Sequence, residues 1–214
     1  MTANRAPARV PPSVLRLGRV LRPADAADVY SNPRAEFARL EHSGALHRLA
    51  PGLFAAVPDD AVGRTWLPSL EATALGIAQP GGHAGQAALM GISAARIHTA
   101  IARAVGVAVV AVERHRRTLQ LTDRHAEIHF VRRDLSLLDL QRHRTDLGQG
   151  WVTTIEQTLL DLIARPNLGG LPDAASEAVD SLIPRADGDL LQQLAVLQRR
   201  RRALAETLDR HHAA

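Results

Sequence analysis

The sequence predicts an α/β protein of the α+β kind: an N-terminal winged helix-turn-helix followed by a mixed α/β domain that ends in helices. Three observations carry this. Helical signals in the first 58 residues give way to two short apolar runs about a Pro51-Gly52 turn, the pattern of three helices and a hairpin. The run "VGVAVVAV" in mid-chain is continuously apolar and β-branched, as in a strand buried on both faces. Helical periodicity then fills the chain from Thr153 onward. The boundary falls at the change of pattern, with a DNA-binding domain at 1–58 and a second domain at 59–214.

In the front domain, Ser13 is placed to cap a helix with Val14, Leu17 and Leu21 on one face. Pro23 opens a second helix reaching about Tyr30. Asn32 caps a third, with Pro33 at its first position, Phe37 and Leu40 inward, and Gly44 as its stop after Ser43. "ALHRLAPGLFAAVP" is the hairpin, or wing. In the second domain, "LPSLEATALGIAQ" reads as a helix ending in the glycine-rich loop "PGGHAGQ". "QAALMGI" and "SAARIHTAIARAV" read as short helices, and "RRTLQL" and "AEIHFV" as strands joined near Thr122-Asp123. Thr153 and Glu156 make a capping box ahead of the stripe Ile155, Leu159, Leu162 and Ile163. "LPDAASEAVDSLI" is a helix. One long final helix is expected, with Leu190, Leu194, Leu197, Leu204 and Leu208 on a face interrupted by the run Arg199 to Arg202. Such a run fits a solvated face near a C-terminus, or contact with RNA or an acidic partner.

Charge separates the two domains. From Met1 to Pro58 eight arginines face four acids, and the remaining 18 basic and 18 acidic residues cancel, so the net charge of +4 lies in the front domain. Arginine supplies every basic side chain, but with alanine abundant and arginine on every segment this reflects composition; the placement is what informs. A local positive surplus on a helix-turn-helix points to duplex DNA. The third helix then enters the major groove, with Ser31, Asn32, Arg34 and Ala35 at its N-terminal end and Arg39 one turn on. His47 and Arg48 of the wing, with Arg5, Arg9 and Arg16, are assigned to phosphates. A winged helix used for protein contacts is the competing reading, and Glu36 and Glu41 of the third helix favour it.

A hydrophobic share of 46% and a charged share of 22% describe a folded chain, and only 3% aromatic residues require a core of aliphatic side chains. The absence of cysteine excludes disulfides, iron–sulfur clusters and thiolate zinc sites. No apolar run reaches membrane-span length and no signal-peptide core is apparent, so a cytoplasmic protein without membrane contact is expected. No catalytic residues, metal ligands or cofactors are assigned. "PGGHAGQ" lacks the P-loop lysine and the dinucleotide spacing. His125, Glu127 and His129 stand in the wrong order for a zinc protease, and His211 and His212 sit near a terminus expected to fray. Ser93, Ser136 and Ser181 lack a nucleophile-elbow context.

The ordering of these segments resembles the AbiEi family of antitoxins from bacterial abortive-infection toxin–antitoxin systems. The family pattern "L…G.L.R…GLY.V P" corresponds to "LEHSGALHRLAPGLFAAVP", with Phe54 in place of the tyrosine. "AALMGI" matches part of a short "AL..HGL" segment, Met90 replacing its histidine. "WVTTIEQTLLDLIARPNLGG" matches "VT…RT/QTLLDL…P..GG" from Thr153 to Gly170. The resemblance spans residues 13 to 210. It implies a winged helix that binds repeats in the promoter of its own operon and represses transcription. It also implies a C-terminal region that counters a cognate nucleotidyltransferase-like toxin, without requiring a stable complex. The alternative is a stand-alone winged-helix regulator whose α/β domain senses a small molecule.

Overall fold

The computed structural model describes residues 9–79 and 85–212, the side chain of His212 excepted. Its front module runs α1 (Pro12–Leu15), β1 (Val20–Leu21), a 3-10 turn (Pro23–Ala26), α2 (Pro33–His42), β2 (Leu46–Ala50) and β3 (Leu53–Ala56). The strands form an antiparallel sheet in the order β1-β3-β2. This is a winged helix-turn-helix. The helix expected over Ser13–Leu21 is shorter, and Ser13 does not cap it. Gly18, at φ 125°, turns the chain out, and Val20 and Leu21 pair instead with Ala55 and Phe54. The helix expected from Pro23 to Tyr30 is the single 3-10 turn, held by Asp25 accepting from the Arg22 backbone at 3.0 Å. Phe37, Leu40, Leu46 and Phe54 close a small core between α2 and the sheet.

The body is a six-stranded sheet in the order β6-β7-β5-β4-β9-β8. Its strands are β4 (Ala87–Leu89), β5 (Val107–Val112), β6 (Leu119–Gln120), β7 (Glu127–Arg132), β8 (Leu140–Thr145) and β9 (Gly148–Thr153). β5 runs parallel to β7 and β4 parallel to β9, and the other pairs are antiparallel. Every residue of β5 is buried because both faces are covered. Val107, Val109 and Ala111 face α4 (Gly91–Ile97), α5 (Ile155–Ala164), α6 (Pro172–Leu182), α7 (Gly188–Leu197) and α8 (Arg201–His212). Ala108, Val110 and Val112 face α3 (Leu70–Ala78) and, beyond it, the front module's sheet. Gly150 lets α3 lie close on β9, since a Cβ there would overlap Leu75 and Gln79.

Several expectations for the body change. "QAALMGI" is not a helix: Ala87–Leu89 is the central strand β4, and its small residues fit between β5 and β9 under helices on both sides. β8 and β9 were not anticipated. The cap of α5 is Thr154, whose side chain accepts from Gln157 N, while Thr153 ends β9 and bonds Thr158 Oγ1 at 2.8 Å. The final helix is two, since Arg199 adopts φ 56° and Arg200 N reaches Ala195 O at 2.7 Å, closing α7 before α8 begins. α8 continues through the histidine pair rather than fraying before it, and His211 Nδ1 lies 3.4 Å from Asp180. Most of "PGGHAGQ", at 80–84, lies outside the described residues.

Candidate nucleic-acid interface

α2 is built to present one face outward. Asn32 Oδ1 accepts from Ala35 N at 3.3 Å, satisfying a donor of the first turn, and Pro33 has no N–H to satisfy. Phe37 and Leu40 are fully buried, each stabilising by about 1.5–3 kcal/mol, and Phe37 meets Phe54 edge-on at 5.4 Å. With those two turned in, Arg34, Ala35, Ala38, Arg39 and His42 form the exposed stripe, spaced as helical geometry requires. Two alanines keep the centre of that stripe low, so a groove can approach the backbone. With side chains the helix is about 10–12 Å across, which suits a major groove roughly 12 Å wide.

The predicted contact residues separate by electrostatic state. Among the described residues, neither Arg34 nor Arg16 after α1 has a carboxylate partner, and both are exposed. Arg39 is held by Glu36 at 2.9–3.0 Å. Arg48 is held by Glu41 through bonds of 2.7 and 2.5 Å and lies over the Phe54 ring at 4.8 Å. That hydrogen bond holds the Glu41 carboxyl below its ordinary range and raises Arg48. The two acids of α2 thus sit beside the stripe, tethering arginines. Exposed pairs of this kind contribute only about 0–1 kcal/mol, so exchanging carboxylate for phosphate costs little. Arg9 is exposed, 3.5 Å from Asp59, and Arg5 lies outside the described residues. Ser31 and Asn32 are exposed at the helix start. Ala38 and His42, which the sequence reading does not include, complete the face.

His47 is placed elsewhere. Its Nε2 lies 2.9 Å from Asp123 Oδ2, and its ring stands edge-on to Trp66 at 6.0 Å. Arg124 completes the cluster with bonds to Asp123 at 2.8–3.1 Å and to Pro68 O at 2.7 Å. Thr122 N also donates to Leu49 O at 2.8 Å. One strand of the wing is therefore fastened to the body, and His47 is part of the fastening rather than a free phosphate ligand.

The body's buried charges also tie elements together. Arg96 bonds Glu71 at 2.5 Å and the Arg103 carbonyl, joining α4 to α3. Arg133 bonds Asp161 at 3.1 Å, and buried His98 donates to Thr153 O at 2.8 Å. His129 pairs with Glu127 on β7 at 2.5 Å. Among the described residues, no group of three or more His, Asp or Glu side chains converges as a metal-binding set. No described helix is long and apolar enough to cross a membrane.

Fold and charge together define a winged-helix module joined to a six-stranded α+β body, with a basic helix face turned outward. The crystal structure of the RV2827C protein from Mycobacterium tuberculosis is similar, with a TM-score of 0.54 over 95% of this chain and 80% of that one. Identity is 18%, so the likeness establishes the fold alone. No family model matches the chain, and no curated protein matches it.

Proposed function

We propose that this chain is a DNA-binding antitoxin that represses its own promoter. In this reading the winged helix docks α2 in the major groove, and the α+β body counters a cognate nucleotidyltransferase-like toxin. The observation that carries the DNA-binding part is the outward face of α2. Arg34 stands there without a counter-ion among the described residues, beside Asn32, two alanines and an arginine held only by an exposed pair. Arginine is the side chain that most often reads guanine edges bidentately. The antitoxin part rests on the resemblance of the hairpin and Thr153–Gly170 motifs to the AbiEi family.

Electrophoretic mobility shift with the duplex upstream of the gene tests the first part. Arg34→Ala with Arg39→Ala is expected to abolish the shift while leaving rescue of a co-expressed toxin intact. Equal promoter affinity in the double variant would remove α2 from the interface. Loss of rescue together with DNA binding would place both activities on one face.

A further inference from the structure

A cleft of about 530 Å³ opens where the front module meets the body. It brings together Arg22 and Asp25 of the 3-10 turn, Pro51 and Gly52 of the wing turn, and Arg116 and Arg117 of the connection between β5 and β6. Arg116 is half-buried. Its guanidinium lies over the Phe130 ring at 5.6 Å and donates once, to Ile77 O at 3.3 Å. Among the described residues it has no carboxylate partner, which leaves most of its five N–H donors uncommitted there. Burial lowers its pKa, and the charge of Arg22 across the cleft lowers it further. Arg22 is balanced by Asp25 through bonds of 2.7–3.1 Å, which leaves the cleft with two uncompensated positive charges. A guanidinium fixed by stacking and one carbonyl has lost its freedom before a ligand arrives. An anion between these groups relieves both the desolvation and the like-charge repulsion.

We propose that Arg116 and Arg117, with Arg22 opposite, form a phosphate site at the base of the wing that grips the DNA backbone beside the bases read by α2. The inference rests on the DNA-binding reading above and deepens it. Two observations favour a backbone phosphate over a free one. The cleft shares its wall with the exposed wing turn, where Gly52 adopts φ 73° with open space around it. Of the hairpin's own candidates, His47 is engaged by the buried Asp123, while Arg48 keeps only its exposed pair with Glu41. The phosphate role assigned to His47 thereby passes to arginines of the body, outside the first 58 residues.

The test measures affinity of the full chain for its promoter duplex, and for a shuffled duplex, between about 50 and 200 mM salt. Each lost phosphate contact lowers the slope of log affinity against log salt by roughly 0.9. Arg116→Ala with Arg117→Ala should reduce the slope by about 1–2 and weaken both duplexes alike, by roughly tenfold or more. Arg117→Ala alone, at an exposed position, should lower the slope by about 1 and guards against misfolding of the double variant. Unchanged slope and affinity, while Arg34→Ala with Arg39→Ala abolishes binding, would overturn this site and leave the DNA-binding reading standing. Failure of the unaltered chain to bind either duplex would overturn both. A rise in Tm with inorganic phosphate that the double variant loses, with DNA affinity unchanged, would make the site one for a free phosphate and overturn the backbone assignment.

Discussion

Asp123 carries much at the scale of one residue. Only 2% of its side chain is exposed, and burial pushes its carboxyl upward. Hydrogen bonds from Arg124 and His47 outweigh that and leave it below the ordinary value. A carboxylate depressed in the folded state contributes stability at pH values above its unfolded pKa of about 3.9. That contribution is lost as the pH falls below it through the folded value. Asp123→Ala should cost about 2–3 kcal/mol at neutral pH, less than for a fully buried pair because His47 is partly exposed. It should also lose less stability than the unaltered chain between neutral pH and about pH 3, where the unaltered chain gives up this pair. Urea titrations of both proteins at the two pH values measure the difference; parallel loss in both would mean that the pair does not fasten the wing. Asp161 runs the other way. Burial outweighs Arg133, Gln157 and Arg165, so its carboxyl is raised, and among the described residues one of its oxygens lacks a hydrogen-bond partner. Its ionisation therefore opposes folding as the pH rises through its folded value.

At the scale of elements, the break between α7 and α8 gives a prediction whose sign discriminates. The apolar stripe from Leu190 to Leu208 reads as one helix, yet Leu197 is 77% exposed and Leu204 buried, because the chain turns between them. Arg199, exposed and at φ 56°, occupies the left-handed position that glycine takes without strain. Arg199→Gly should therefore stabilise the protein by about 1 kcal/mol. In a continuous helix the same change would destabilise by about that amount. Thermal unfolding of the variant decides the matter. The elements legible in the sequence were those with strong local signals: α2 with its Asn32 cap and Gly44 stop, the β-branched β5, and the stripe of α5. Those missed were decided by partners distant in the chain. Ala87–Leu89 has no strand propensity of its own and is held between β5 and β9. Val20-Leu21 continues a helical pattern but is claimed by β3. The site was legible in the same proportion. The outward face of α2 follows from its own periodicity, whereas the engagement of His47 depends on Asp123, 76 residues away.

At the scale of the whole molecule, the front module is not a bead on a linker. Its three-stranded sheet carries α2 on one face and α3 of the body on the other. Val20, Leu49 and Ala55 share an apolar cluster with Leu70, Leu75 and Ile77. Gly76 permits the approach, since a Cβ there would overlap Val20. The orientation of α2 relative to Arg116 and Arg117 is therefore fixed by core packing, which the phosphate site requires. Winged helix and body should unfold in one transition. The two tryptophans report on it from different places, Trp66 beside His47 at the junction and Trp151 on β9 under Arg142. Urea titrations of single-tryptophan variants, Trp66→Phe and Trp151→Phe, should give coincident midpoints once each is corrected for its own substitution. A junction signal lost at lower urea than the signal of the body would separate the halves. The arginines of the body would then no longer keep a fixed position relative to α2.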